Sequence, residues 1–299
     1  MKTRQHKLCF IISIIILLFL WQILLILIAI KESRSGINFN SFDIDLNKTN
    51  SSIPRIIHQT WKTSNLATYP INNSHSEWKR LYPDYQIHLW TDEDLDELIS
   101  TDPYKYLYDI YKGYSYNIQR ADLGRLIILH SKGGIYADLD VFPCLRQVEN
   151  LRLSNASFII PRSYFGLSLI NHFLVAQKSS PIIDYILHEI VPVKFYRRIY
   201  ILPYAEVFST GSIFLTRVIK NYLKSSNSTK NFLWILSEDK LMKYVTHYTG
   251  RSWHSFDAYI LNRIDSNAKS FISILVFFIL FIFILFKYQY SILRFIKLK

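Results

Sequence analysis

The sequence predicts an α/β domain carried between two membrane-spanning helices. Three observations lead there. Strand-like and helix-like patterns alternate from Ile53 onward, long apolar runs without a charge stand near both ends, and only two cysteines occur in 299 residues. Such alternation favours a mostly parallel sheet, with ligands bound beyond the carboxyl ends of the strands.

Residues 8–30, LCFIISIIILLFLWQILLILIAI, carry no charge and extend about 34 Å as a helix, enough to cross a hydrocarbon core of about 30 Å. A signal peptide would show a shorter apolar region and a small-residue cleavage site, so the run reads as a retained span. The second run, residues 270–286, extends about 26 Å and suits a thin membrane of the early secretory pathway, with Lys269 and Lys287 snorkelling to its interfaces. Lys2, Arg4 and Lys7 flank one end and Lys287, Arg294, Lys297 and Lys299 the other, without an acidic residue. The positive-inside rule then puts both ends in the cytosol and the middle in the lumen of the Golgi or endoplasmic reticulum. The expected order is a cytosolic N-terminus 1–7, a span 8–30, a polar stem 31–52, a folded domain 53–268, a span 270–286 and a basic tail 287–299.

The net charge of +12 is therefore largely a topology signal. Without those seven cations, 28 Lys and Arg face 23 Asp and Glu, so nucleic acid is not an expected partner, whereas anionic sugar nucleotides and phospholipid headgroups stay compatible. Cys9 lies in the first span and Cys144 in the middle region, so no intrachain disulfide is expected and stability rests on the core. Asn-x-Ser/Thr triplets at Asn47, Asn50, Asn72, Asn155 and Asn227 agree with lumenal exposure.

Within the domain, IPRIIHQTW from Ile53 reads as a buried strand, SHSEWKRLY as a short helix, and YQIHLW, residues 85–90, as a second strand. TDEDLDELI begins with a Thr/Asp cap and early acids, which favour a helix N-terminus. Residues 117–132, NIQRADLGRLIILHSK, form a helix that Gly133 ends by taking positive φ, and residues 134–141 form the next strand. Further on, SFIIPRS and NFLWILS read as strands, PIIDYILHEI and GSIFLTRVIKNYL as helices.

The chemistry centres on GGIYADLDVFPC, residues 133–144. On a strand, side chains two apart share a face, so Asp138 and Asp140 point together while Leu139 turns into the core. Converging carboxylates repel unless a cation or donors offset them. Mg²⁺ or Mn²⁺ binds one or two carboxylates and completes its shell with substrate phosphates. Turn-forming aspartates are the alternative reading.

This block with the preceding IQRADLGRLIILHSK, the upstream IPRIIHQTWKTS and the downstream RSWHSFDA resembles the DXD-type glycosyltransferases of family 32, most of all the inositol phosphorylceramide mannosyltransferases. The three blocks occur in family order across residues 53–260. The resemblance implies a GT-A domain with a Rossmann-like mixed sheet and a retaining transfer of a hexose, mannose from GDP-mannose, to a sphingolipid headgroup with Mn²⁺ or Mg²⁺ bound. It implies that Asp140 ligates the metal, that Asp138 contacts ribose or the metal through water, and that Arg120 and Asp122 help position the donor sugar. It also implies a regulatory membrane subunit as a partner. An N-glycan mannosyltransferase, a UDP-sugar-dependent glycolipid transferase and a non-catalytic membrane subunit stand as alternatives.

Arg120 and Asp122 lie about 200° apart on a helix, so both reach one pocket only from its first turn. His58, Gln59 and Trp61 follow the first strand towards its carboxyl end, where a nucleotide would sit and an indole would stack on a base. His254 is a further metal or diphosphate candidate, with Asp257 beside it. Thr210 and Gly211 match a family segment that often reads Thr-Gly-Pro, but Ser212 takes the proline's place. Glu206 is an acid upstream of them. His247 matches no familiar zinc spacing, and no CxxC, HExxH, GxGxxG, GxSxG or P-loop occurs. No protein nucleophile is expected, because a front-face transfer lets the leaving diphosphate take the acceptor's proton.

Overall fold

A computed structural model of the chain describes residues 53–163, 168–193, 210–225 and 232–248, together with Leu18 and Trp21. By internal contacts the chain divides into Met1–Ser252 and Trp253–Lys299, and all described residues fall in the first unit. The stem and, apart from Leu18 and Trp21, both apolar runs lie outside the described residues. Among the described residues no helix is long and apolar enough to cross a membrane.

The domain opens with β1 (Ile56–Thr60), α1 (His75–Leu81), β2 (Gln86–Trp90) and α2 (Asp92–Ser100). A capping box in which Thr91 and Asp94 satisfy each other's backbone N–H groups starts α2, as the acidic TDED signature requires. After α3 (Tyr108–Lys112) come α4 (Asn117–Lys132), β3 (Gly134–Ala137), β4 (Val141–Pro143), α5 (Val148–Arg152), β5 (Phe158–Pro161), β6 (Phe173–Ala176) and α6 (Pro181–Val193). The last elements are α7 (Ser212–Ser225), β7 (Leu233–Leu236), α8 (Glu238–Leu241) and β8 (Val245–His247).

Six strands form one mixed sheet in the order β2-β1-β3-β6-β5-β7, and β4 with β8 forms a second, two-stranded one. β1 pairs in parallel with β2 and β3, and β5 with β7, whereas β6 runs antiparallel to both β3 and β5. Both sheet faces are covered, so each strand alternates between two cores rather than between core and water. Ile135, Val175, Ile159 and Trp234 pack on one side with Trp78 of α1 and Leu151 of α5. Tyr136, Leu174, Ile160 and Ile235 pack on the other against α4, α6 and α7.

Two glycines fix how α4 meets β3. Gly133 has φ 67 and Gly134 φ 105, and a Cβ would lie 2.6 Å from the Lys178 nitrogen at the first and 2.5 Å from the Ile56 oxygen at the second. The chain turns so tightly here that any side chain would meet backbone.

On the α5 face, Glu149 accepts from Arg152 at 2.7 Å and Arg55 at 3.4 Å, and also from the Tyr85 hydroxyl. Burial alone would raise its pKa, but the hydrogen bonds from Arg152 and Tyr85 and the Arg152 charge bring it down to about 2. A carboxyl depressed in the folded state stabilises it above its ordinary pKa, and that contribution is lost as pH falls from about 4.5 towards 2. Glu149→Gln is therefore expected to cost about 2–3 kcal/mol at pH 7 and much less near pH 2. Thermal unfolding of the detergent-extracted chain at the two pH values checks this.

Candidate active site

The strand expected to run through Val141 stops at Ala137. The Asp138 carbonyl accepts from the Val141 nitrogen at 2.9 Å, closing a turn, because residues 141–143 take their ladder bonds from β8 in the second sheet. Asp138 and Asp140 thus share a tight turn rather than a strand face, at the carboxyl end of β3, while Leu139 is buried as expected. Each residue of the turn is pinned through its backbone: Asp138 N–H to the His172 carbonyl at 2.9 Å, the Leu139 carbonyl to Ser74 N–H at 2.7 Å, and the Asp140 carbonyl to Tyr248 N–H at 2.9 Å.

The side chains are held as firmly. Asp138 accepts from the Tyr136 hydroxyl at 2.8 Å and faces Arg125, whose Nη1 lies 3.3 Å from its Oδ1. Arg125 is buried, its guanidinium over the Tyr136 ring at 4.9 Å. The same guanidinium donates to the Asn171 carbonyl at 2.7 Å and pairs with Asp122 at 3.3 Å. Burial lifts the Asp138 carboxyl above its ordinary range, with Arg125 working against the lift and Asp140 adding to it. Its side chain keeps 30% of its exposure, so one edge of the carboxylate faces outward.

Asp140 is more deeply set and meets His247 Nε2 at 3.4 Å. Burial opposes the imidazolium, but the hydrogen bond and charge of Asp140, with Asp138, outweigh it and raise the His247 pKa. His172 stacks on His247, ring centroids 4.1 Å apart. Burial and the neighbouring His247 hold its pKa down to about 3, and its buried Nε2 has no hydrogen-bond partner among the described residues.

Of the residues expected around the donor, Asp122 is buried and accepts from Asn171 Nδ2 at 2.7 Å and Thr210 Oγ1 at 2.9 Å as well as pairing with Arg125. Arg120 turns the other way, to Asn117. Helix α4 starts at Asn117, so Arg120 ends its first turn and Asp122 lies beyond it, and the structure does not bring the two together. His58 and Gln59 lie inside β1 and are fully buried. Trp90 Nε1–H donates to His58 Nδ1 at 3.1 Å and His58 Nε2–H donates to the Gly133 carbonyl at 2.8 Å, with burial lowering its pKa to about 4. Gln59 holds Ser74 and His75. Both are therefore scaffold side chains bracing the corner at Gly133 and the start of α1, a correction to the expected ligand contacts. Trp61 does stand at the carboxyl end of β1, half-buried, its Nε1–H on Thr68 and its ring edge-on to Tyr69 at 4.8 Å. His254, Asp257 and Glu206 lie outside the described residues.

Arg125, Tyr136, Asn171, His172 and His247 were not anticipated. Arg125 had a readable signal: a lone charge in the apolar run LGRLIIL, three residues after Asp122 on the same helix face. His247 gains its place through the pairing of β8 with β4, which sequence spacing does not encode.

Two carboxylates on one turn fit a divalent cation of the Mg²⁺ or Mn²⁺ kind. Among the described residues no three His, Cys, Asp or Glu side chains stand at ligand spacing.

Residues 68–158 match the family described as the glycosyltransferase sugar-binding region containing the DXD motif. The chain is 34% identical over 223 residues to inositol phosphoceramide mannosyltransferase 1 of Schizosaccharomyces pombe, covering 73% of this chain and 67% of that protein. It is 32% identical over 224 residues to mannosyl phosphorylinositol ceramide synthase CSH1 of Saccharomyces cerevisiae, covering 73% and 57%. It thus spans 67% and 57% of the length of these two relatives. Among solved structures it is similar to PaToxG glycosyltransferase, with a TM-score of 0.44 and 18% identity over 64% of this chain and 78% of that one.

Proposed function

The chain belongs to the DXD glycosyltransferase family of the inositol phosphoceramide mannosyltransferases, and on that premise we propose that it transfers mannose from GDP-mannose to the headgroup of inositol phosphorylceramide. The observation that carries the reading is the pinned Asp138–Asp140 turn at the carboxyl end of β3, where an α/β sheet presents its ligands.

In the transfer, the bond between mannose C1 and the diphosphate oxygen breaks, a bond between C1 and an acceptor hydroxyl oxygen forms, and the hydroxyl proton leaves with the nucleoside diphosphate. Asp138 and Asp140 would hold Mn²⁺ or Mg²⁺, which supplies the neutralising charge for the diphosphate. Arg125 orients Asp138 from behind and offsets its charge, while Tyr136 fixes one of its oxygens. Asp140 is aimed by His247. Trp61, half-buried at the end of β1, is positioned for the guanine base. Such fixed groups lower the barrier because they need no reorganisation when charge develops. The runs at 8–30 and 270–286 support attachment to a Golgi or endoplasmic-reticulum membrane, with the domain lumenal, both ends cytosolic and a regulatory membrane subunit within reach.

The test is transfer by the detergent-extracted full chain from GDP-mannose and from UDP-sugars to inositol phosphorylceramide, each with Mn²⁺ or with chelator. Mannose transfer abolished by chelator is the expected result. Turnover of a UDP-sugar alone would overturn the donor assignment, and no turnover by a folded chain would point to a non-catalytic subunit.

A further inference from the structure

A cleft of about 700 Å³ opens beside the DXD turn, between the segment that follows β1, the first turn of α1 and the β4–β8 pair. It abuts the site directly: Phe142 follows Asp140 by two residues, and Tyr248, 60% exposed, is anchored by its N–H to the Asp140 carbonyl and packs edge-on against Phe142 at 5.3 Å. Tyr69, also in its wall, feels both carboxylates: after burial, the charges of Asp140 and Asp138 are what raise its pKa.

Among the described residues its lining holds no lysine or arginine, and the acid it does hold, Glu77, is tied up by Arg80. A phosphate or diphosphate asks for cations or converging N–H groups, which the described residues of this lining do not supply. Its aromatic rings, with the amide of Asn73 and the hydroxyls of Ser76 and Thr246, suit an uncharged polyol ring, which stacks its C–H face and spends its hydroxyls on amide and hydroxyl partners. We propose that this cleft receives the inositol ring of the acceptor and presents one of its hydroxyls to the donor sugar, leaving the phosphate and lipid outside. The inference rests on the transferase reading for the identity of the ring, but it concerns a different part of the surface.

Two variants test it in the detergent-extracted full chain. Ser76→Trp fills the cleft from the exposed face of α1, and Tyr248→Ala removes its aromatic wall. Lys79→Trp, on the same helix outside the lining, is the control. For both cleft variants the KM for inositol phosphorylceramide is expected to rise about tenfold or more while the KM for GDP-mannose holds. The control should change neither. Saturation-transfer NMR with free myo-inositol gives a reading independent of catalysis: ring-proton signals with the parent chain, lost in Ser76→Trp, and competed by inositol 1-phosphate but not by inorganic phosphate. Inositol binding without any transfer would sink the transferase reading and leave the cleft assignment standing. Transfer with an unchanged acceptor KM in both variants, or inositol signals that survive Ser76→Trp, would overturn the cleft assignment and leave the transferase reading intact.

Discussion

Asp140→Asn is expected to reduce mannose transfer by about 10³-fold or more while the chain stays folded. The substitution is nearly isosteric and keeps the backbone carbonyl that Tyr248 grips, so the turn retains its shape. What disappears is a negative charge. Asp138 loses a repulsive neighbour, and His247 loses the partner that raises its pKa against burial. The thermal midpoint should therefore move little, and the His247 ring should titrate below its value in the parent chain, which NMR of the imidazole protons reads. Transfer above a tenth of the parent rate would remove Asp140 from the proposed chemistry.

The second large effect is on stability. Arg125→Met is expected to cost about 3–5 kcal/mol, because the cation between Asp122 and Asp138 is buried and its loss leaves two carboxylates without their shared counter-charge. The deficit should shrink as pH falls. Without Arg125 both carboxyls titrate higher, so acid neutralises them in the folded state and relieves the strain that Met introduces. Combining it with Asp122→Asn should recover part of the loss. Arg125→Lys should fall between, since one ammonium lacks the planar fork that reaches Asp138, Asp122 and the Asn171 carbonyl together. Unfolding midpoints of the four chains across pH 4–8 measure all of this, and an Arg125→Met deficit that grows with acid would contradict the ion-pair account.

Much of the fold was legible because local signals agree with it. The helix over 117–132 with its glycine stop, the capped helix after Thr91 and the first two strands are all found where pattern and caps put them. β6 was not legible: four residues, FLVA, buried on both faces, carry no alternation, and nothing local says that the strand runs against its neighbours. The end of β3 was misread for a related reason. The apolar pattern continues through Val141, but the hydrogen bonds change sheets after Ala137, and sheet membership is decided by β8 far along the chain. The two aspartates were singled out by their spacing together with the family resemblance, whereas the side chains that hold them come from other elements. His58 and Gln59 show the converse, since polar residues at a strand's carboxyl end look like ligand contacts until their buried partners are seen.

The pairing of β4 with β8 also has a consequence during synthesis. Asp140 emerges from the ribosome about a hundred residues before His247 and Tyr248, an interval of roughly 5–20 s at ordinary elongation rates. Through that interval the nascent chain carries the carboxylate pair without the strand that shapes its turn. A chain that stops short of Tyr248 would therefore contain the motif and lack the strand that shapes its turn.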